Sequence, residues 1–190
     1  MKEAFLAVDV SLETVERLVL VQEDLAGLIK ARGGKVRWVE PARMHLQLKS
    51  LGWIDPALLF DVSEVVGRLA GALVPFKVSV KGLVAYPSPR QPRLLLAKIE
   101  QGADLVGQLH KVLEKHLGAM GIESSEARPY EAVIQVGRVL TPKGTVDLSD
   151  AMEEVKGLDF GESYVKDVML LVSSLQGSPQ AVVHKRFALG

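Results

Sequence analysis

The most constraining feature of this sequence is that one order of predicted elements occurs twice along the chain. Apolar, β-prone residues 4–10 are followed by an amphipathic helix pattern to residue 30 and by an alternating strand pattern at 44–51. Residues 93–100, 104–120 and 130–140 repeat this order of strand, helix and strand. The spacing repeats as well, because 40 residues separate Phe5 from His45 and 39 separate Leu94 from Val133. We therefore expect an internal repeat that forms two similar lobes.

Further elements complete each predicted half. In the first half the patterns predict a short strand at 36–39, a turn at 52–56, a helix at 57–73 and a strand at 76–86. In the second half they predict a helix at 149–157 and strands at 163–173 and 182–189. A proline-rich connector, residues 87–92, separates the halves. We predict a single two-lobed domain over residues 1–190, with repeats at roughly 1–87 and 93–190.

The strand patterns predict the fold class. In residues 45–49 the strand period of two places His45, Gln47 and Lys49 on one face and two leucines on the other. Alternation of this kind favours antiparallel sheets with one polar face, so we predict an α+β fold. Its two pseudo-symmetric lobes would each carry a mostly antiparallel sheet with outer helices, around a central cleft. A parallel α/β sheet also fits the interleaved order, but its strands would be apolar on both faces.

Composition limits the chemistry and the partners. Cysteine is absent, so disulfides, thiolate nucleophiles and thiolate metal sites are excluded. The 23 Lys and Arg residues balance 23 Asp and Glu residues, so extended nucleic acid is not expected, whereas a small or terminal phosphate or a protein partner is possible. Short apolar runs and the absence of a signal-peptide pattern predict a cytoplasmic protein without membrane contact. We expect no metal and no cofactor, because no histidine pair has ligand spacing beside carboxylates.

Two polar strand faces occupy matching places in the two halves. In residues 133–138, Gln135 takes the position of Gln47 and Val133 that of His45. The two glutamines are therefore expected to face each other across the pseudo-twofold axis. An amide both donates and accepts hydrogen bonds, so the pair is able to hold a phosphate oxygen, a base edge or each other. The pattern alone leaves open whether the cleft is a binding site or is filled.

Several segments of the chain carry a resemblance to a known family. They are residues 37–41, 44–52 and 82–94. They resemble the bacterial RNA 2′,3′-cyclic phosphodiesterases, also called 2′-5′ RNA ligase-like proteins, of the two-histidine phosphoesterase superfamily. The likeness extends from residues 5–9 to residues 185–189.

The resemblance implies a cleft lined by two His-x-Thr strands, with one histidine as general base and the other as general acid. The threonines and an arginine would hold the phosphate oxygens. His45 matches the first histidine, and Arg138 matches the arginine. Gln47, Val133 and Gln135 stand where the first threonine, the second histidine and the second threonine are expected. Strict alternation from Gln135 would point Arg138 to the other face, so its role requires a bulge near residue 137.

The resemblance therefore predicts a catalytically impaired protein that binds a nucleotide or an RNA end. The expected catalytic residue is His45, and the expected ligand-binding residues are Gln47, Gln135, Arg138, Arg93 and Tyr86. One alternative is a weak 2′,3′-cyclic phosphodiesterase that uses His45, with water or His184 as the second proton carrier. The other is a protein-interaction scaffold with a filled cleft.

Overall fold

The computed structural model describes residues 1–123, 128–142, 146–173 and 181–190. Its helices are α1 (Leu12–Ala31), α2 (Leu58–Gly71), α3 (Ala103–Gly118) and α4 (Ser149–Val155), with one turn of 3₁₀ helix at Pro41–Arg43. Its strands are β1 (Lys2–Asp9), β2 (Val36–Trp38), β3 (His45–Ile54), β4 (Phe76–Tyr86), β5 (Leu94–Ile99), β6 (Val133–Val139), β7 (Asp159–Val165), β8 (Asp167–Ser173) and β9 (Ala181–Ala188).

Helix α1 begins directly after Ser11, which caps its first turn. The Ser11 hydroxyl accepts a hydrogen bond from the Thr14 backbone N–H at 3.2 Å, which satisfies one of the free donors of the first turn. The Ser11 backbone N–H in turn donates to the Ser163 hydroxyl at 2.8 Å, so the cap is tied to β7. One face of the helix is buried through Leu18 and Ile29. The helix therefore starts at a fixed point beside the sheet.

The strands form two antiparallel sheets that join into one curled sheet. The first follows the order β3-β1-β8-β9, and the second follows β6-β5-β4-β7, with β2 on β6. All pairings between the described strands are antiparallel. The two sheets meet where Leu46 of β3 pairs with Ile134 of β6. The predicted α+β class is thus confirmed, and the parallel alternative is wrong.

The two sheets exchange strands between the predicted halves. Strand β4 lies between β5 and β7, whereas β8 and β9 extend the sheet of β1. The single strand predicted at residues 163–173 is wrong for this reason: β7 pairs with β4, β8 pairs with β1, and the chain changes sheets at Lys166. The turn predicted at residues 52–56 also starts later, because Gly52, with φ +63°, pairs with Ala4 and β3 continues to Ile54.

The two faces of the curled sheet differ in what covers them. Apolar side chains of the outer face, including Leu46, Leu48, Ile134 and Val136, are buried in one large core with the helices. Each such side chain contributes roughly 1.5–3 kcal/mol when fully buried. The inner face carries a small second cluster of Ala7, Met169 and Leu171. No helix in the described ranges has the length and apolar character that a membrane crossing requires.

Candidate functional site

A groove of about 820 Å³ lies where the two sheets meet. Strand β3 contributes His45 and Gln47 to its lining, and β6 contributes Val133, Gln135 and Arg138. The five residues thus lie around one groove, although they come from strands that are far apart in the sequence.

The joint between β3 and β6 sets the geometry at the centre of this groove. Leu46 pairs with Ile134 in antiparallel register, so the flanking residues approach crosswise, with His45 toward Gln135 and Gln47 toward Val133. Gln47 and Gln135 are both exposed. Within the described part of the chain, their side chains form no hydrogen bond with each other. The groove is therefore open at the position where an amide pair would close it.

A bulge in β6 aims Arg138 into the groove. Leu96 pairs with Gln135 while the adjacent Leu95 pairs with Gly137, so Val136 is an extra residue. Val136 and Gly137 are both buried, and Arg138 returns to the exposed side. A bulge near residue 137 is what the role implied by the resemblance requires of Arg138.

A matching bulge in β3 changes the face of Lys49. Ala7 pairs with Gln47 while the adjacent Leu6 pairs with Lys49. Lys49 is only 2% exposed, and its Nζ lies 2.7 Å from the Glu114 carboxylate on α3. Strict alternation, which predicted Lys49 on the face of His45 and Gln47, is wrong because the bulge interrupts it.

Two contacts hold the β6 bulge in place. The buried Gln22 of α1 donates from Nε2 to the Val136 carbonyl at 3.0 Å and to the Val39 carbonyl at 2.9 Å. Gly137 packs under Trp38, and a Cβ at Gly137 would lie 2.9 Å from the Trp38 ring. Trp38 itself lines the groove. The β6 bulge, the position of the Trp38 ring in the groove and the position of Arg138 therefore depend on one another.

His45 has an environment that favours the neutral imidazole. The side chain is half-buried, and its ring stacks on Phe5 with centroids 5.3 Å apart. Burial lowers the pKa of His45, Asp9 raises it in part, and Arg43 lowers it further. The Asp9 carboxylate lies 2.6 Å from the Arg186 guanidinium. A neutral imidazole at neutral pH suits a proton acceptor.

A second wall of the groove comes from residues that carried no role in the sequence-based predictions. The Tyr130 hydroxyl donates to the Gln47 carbonyl at 2.9 Å, and its ring stacks on His110 with centroids 3.9 Å apart. His110 Nδ1 donates to the Leu48 carbonyl at 2.7 Å. Arg128 lies over the ring of Tyr86, with its Cζ 4.7 Å from the ring centroid. The sequence before β6 shows neither helix nor strand periodicity. The Arg-Pro-Tyr run at residues 128–130 is the one feature there that could have indicated a binding wall.

Two expected ligand-binding residues lie beside the groove rather than in its lining. Tyr86 is 40% exposed at the end of β4 and contacts the lining residue Arg128. Arg93 is exposed before β5, and its backbone N–H donates to the Tyr86 carbonyl at 2.6 Å. His184 is exposed on β9. Neither Arg93 nor His184 is among the described residues that line the groove.

Charge in the groove is locally positive although the whole chain is neutral. The basic lining residues are Arg37, Arg43, Lys49, Arg128 and Arg138, and the acidic ones are Glu3, Glu114 and Glu131. Lys49 is paired with Glu114, whereas the four arginines have no ion pair among the described residues. Such a groove attracts anions. Over the same described ranges, no three His, Asp or Glu side chains gather as a metal site would require.

Comparison with known proteins shows which family the chain resembles. Residues 8–96 match the family described as LigT like phosphoesterase. The protein named RNA 2′,3′-cyclic phosphodiesterase from Methanothermobacter thermautotrophicus is 28% identical, with 90% of each chain covered. The protein of the same name from Archaeoglobus fulgidus is 28% identical, with 95% of each chain covered. The chain is similar to the LigT-like, two-histidine phosphoesterases. The qualifier "bacterial" is not confirmed, since both relatives are archaeal.

The LigT-like fold extends over the whole described chain. TT0787 of Thermus thermophilus superposes with a TM-score of 0.78 at 26% identity, covering 98% of this chain and 97% of its own. Escherichia coli LigT complexed with 3′-AMP gives a TM-score of 0.73 at 21% identity, covering 99% and 98%. Crystal structures of that E. coli protein also include complexes with ATP and with NADP+. At 21% identity this second likeness shows the LigT fold alone.

Proposed function

We propose that this LigT-like phosphoesterase binds a nucleotide or an RNA end through a phosphate in the groove, and that its hydrolysis of 2′,3′-cyclic phosphates is impaired. One observation carries the proposal. His45 and Val133 hold equivalent places on either side of the Leu46–Ile134 pair, so one wall has a proton-transfer group and the other an aliphatic side chain.

The strand register supports this equivalence. His45 is opposite Asp9 and Gln47 is opposite Ala7, across β3 and β1. In the other sheet, Val133 is opposite Lys98 and Gln135 is opposite Leu96, across β6 and β5. The two walls thus share one arrangement, and Val133 stands where the pseudo-twofold would place a second histidine.

The chemistry of cyclic phosphate opening explains the impairment. The attacking water must lose a proton while the leaving ribose oxygen gains one, so two positioned proton carriers are needed. Valine cannot transfer a proton. Loss of one positioned acid or base typically lowers the rate by about 10²–10⁴-fold.

The groove keeps the features that binding requires. Gln47 and Gln135 are exposed and present amide donors, and Arg138 adds a guanidinium on the same side. The relatives named RNA 2′,3′-cyclic phosphodiesterase, and the nucleotide complexes of E. coli LigT, support a nucleotide as the ligand class. The open groove disfavours the scaffold with a filled cleft.

A weakly active phosphodiesterase is the second candidate. It is favoured by His45, whose lowered pKa keeps a neutral base in the groove beside Asp9. Water or His184 would then have to protonate the leaving oxygen. Because His184 lies on β9 outside the described lining, water is the better candidate for this step.

Titration with 2′,3′-cyclic and linear nucleotides, followed by calorimetry and by product analysis, tests the proposal. We expect saturable binding together with turnover at least about a hundredfold below that of a family member with both histidines. Turnover within tenfold of such a member would contradict the impairment. Absence of binding by any nucleotide at millimolar concentration would contradict the binding role.

A further inference from the structure

We propose that Arg128, which lies over the ring of Tyr86, forms a second phosphate subsite at one end of the groove, beside Arg138, which also serves the first phosphate. The proposal rests on the function proposed above and specifies its ligand. The preferred ligand would carry two phosphates: a terminal one beside His45, and a second one contributed by a 5′-phosphate or by the preceding phosphodiester of an RNA end.

The register places these residues on one face at one end of the groove. Tyr86, Leu94 and Arg138 lie in one row across β4, β5 and β6. Residues in such a row point to the same side, so Tyr86 and Arg138 are separated by two strand spacings, or roughly 10 Å. His45 approaches Gln135, which lies three residues before Arg138 on β6, or roughly 10 Å along the strand. The row of Tyr86 and Arg138 is therefore distinct from the centre at His45.

The Arg128 side chain is fixed and has unused hydrogen-bonding capacity. Its guanidinium lies over the ring of Tyr86, with Cζ 4.7 Å from the ring centroid, and this contact restricts its position. Its Nη1 is buried and, within the described part of the chain, has no hydrogen-bond partner. A buried charged donor without an acceptor is unfavourable, and an anionic oxygen would satisfy it.

The positive charge of the groove also exceeds the single negative charge of one cyclic phosphate. Arg128 and Arg138 both line the groove, and neither forms an ion pair with another described residue. The acidic lining residue nearest to them in sequence, Glu131, is exposed and forms no ion pair with either. A cyclic phosphate carries a single negative charge. A second phosphate would complete the neutralisation, and the planar guanidinium of Arg128 is suited to hold it through two oxygens.

Calorimetric titration with four compounds tests the subsite. They are a nucleoside 2′,3′-cyclic phosphate, the same nucleoside with an added 5′-phosphate, a dinucleotide with a 2′,3′-cyclic end and no 5′-phosphate, and pyrophosphate. We expect the wild type to bind the 5′-phosphorylated compound, the dinucleotide or both at least about tenfold more tightly than the simple cyclic phosphate. Which of the two gains affinity identifies the source of the second phosphate.

Variants separate Arg128 from the rest of the groove. Arg128→Gln should abolish the tenfold preference and leave affinity for the simple cyclic phosphate unchanged, whereas Arg138→Gln should weaken every compound. Tyr86→Leu keeps the charge of Arg128 but removes its stacking partner, so it should reduce the preference only in part. Arg68→Gln, at an exposed arginine of α2, is the charge-matched control and should change nothing. Circular dichroism verifies that each variant is folded.

Equal wild-type affinity for all three nucleotides would overturn the subsite, as would an equal loss for all three in Arg128→Gln. If no nucleotide binds, the proposed function fails, and pyrophosphate then decides the subsite. In that case pyrophosphate should bind the wild type more tightly than Arg128→Gln, and equal or absent binding overturns the subsite too.

Discussion

Gln22 on α1 donates a hydrogen bond from Nε2 to the carbonyl of Val136, 3.0 Å away in the bulge of β6. The same amide nitrogen reaches the Val39 carbonyl at 2.9 Å. A helix on the outer face of the sheet thereby supports the irregularity that turns Arg138 toward the groove on the other face. The polar residue at the core side of α1 is explained by this contact.

Gln22→Leu should destabilise the fold by about 1–3 kcal/mol, because buried carbonyls lose a donor that water cannot replace. Phosphate binding should weaken as well, since the bulge positions Arg138. Chemical denaturation gives the free energy of unfolding for both forms. Gln108→Leu, at an exposed position of α3, is the matched control and should stay within about 0.5 kcal/mol of the wild type. Equal stability of the two variants would contradict a supporting role for Gln22.

Gly137→Ala should destabilise the chain by about 1–3 kcal/mol through overpacking. The added Cβ would lie 2.9 Å from Trp38 Cε3 and 3.0 Å from Val36 Cγ1, so strand β2 must shift. Gly107→Ala is the contrasting control, because nothing lies within 4 Å of a Cβ at that site within α3. There alanine should stabilise by about 0.5–1 kcal/mol. Thermal unfolding of both variants checks the opposite signs, and a neutral Gly137→Ala would contradict the close contact with Trp38.

The pKa of His45 should lie below the ordinary histidine value of about 6.5, as measured by NMR titration of its ring protons. As the pH falls through that ordinary value, the unfolded chain takes up a proton before the folded chain does. The stability of the fold should therefore decrease in this range, and His45→Gln should remove that part of the decrease. Asp9→Asn should lower the pKa of His45 further, and Arg43→Gln should raise it. An unshifted titration would contradict burial as the main cause.

Val133→His, combined with Gln47→Thr and Gln135→Thr, should raise the rate of hydrolysis of 2′,3′-cyclic nucleotides by about 10²-fold or more. The substitution supplies a second proton carrier at the position equivalent to His45. Adding His45→Ala to this variant should abolish the gain and serves as the control. An unchanged rate in a folded variant that still binds nucleotide would show that the loss of the second histidine does not limit catalysis.

The sequence predicted those features that depend on local chemistry. The N-cap at Ser11 was predictable because a serine precedes the helix pattern. The strand predicted at residues 76–86 has the same bounds as β4, Phe76–Tyr86. The β6 bulge was predictable through the family resemblance, since the role that it implies for Arg138 requires Arg138 to share a face with Gln135, and glycine at 137 permits a bulge.

Features that depend on distant partners were not predictable. Nothing near Leu48 marks the β3 bulge, so the turn of Lys49 toward Glu114 is set by the packing of α3. The break at Lys166 exists only because the two sides of that residue pair with different sheets. Arg128 lies in a segment without periodicity, and its role depends on Tyr86, which is far from it in the sequence.

The exchange of strands between the predicted halves determines how the chain behaves when it is cut and how it unfolds. Both neighbours of β4 come from beyond the connector, and β8 depends on β1 from the start of the chain. Fragments cut at the connector would each expose unpaired strand edges, so each should aggregate alone and regain structure only when the complementary fragment is added. In the intact chain, neither wall of the groove has a complete set of strands without the other half. The two walls should therefore unfold in one cooperative transition. Amide hydrogen exchange should then give the same free energy of opening for β1, β4, β5 and β8.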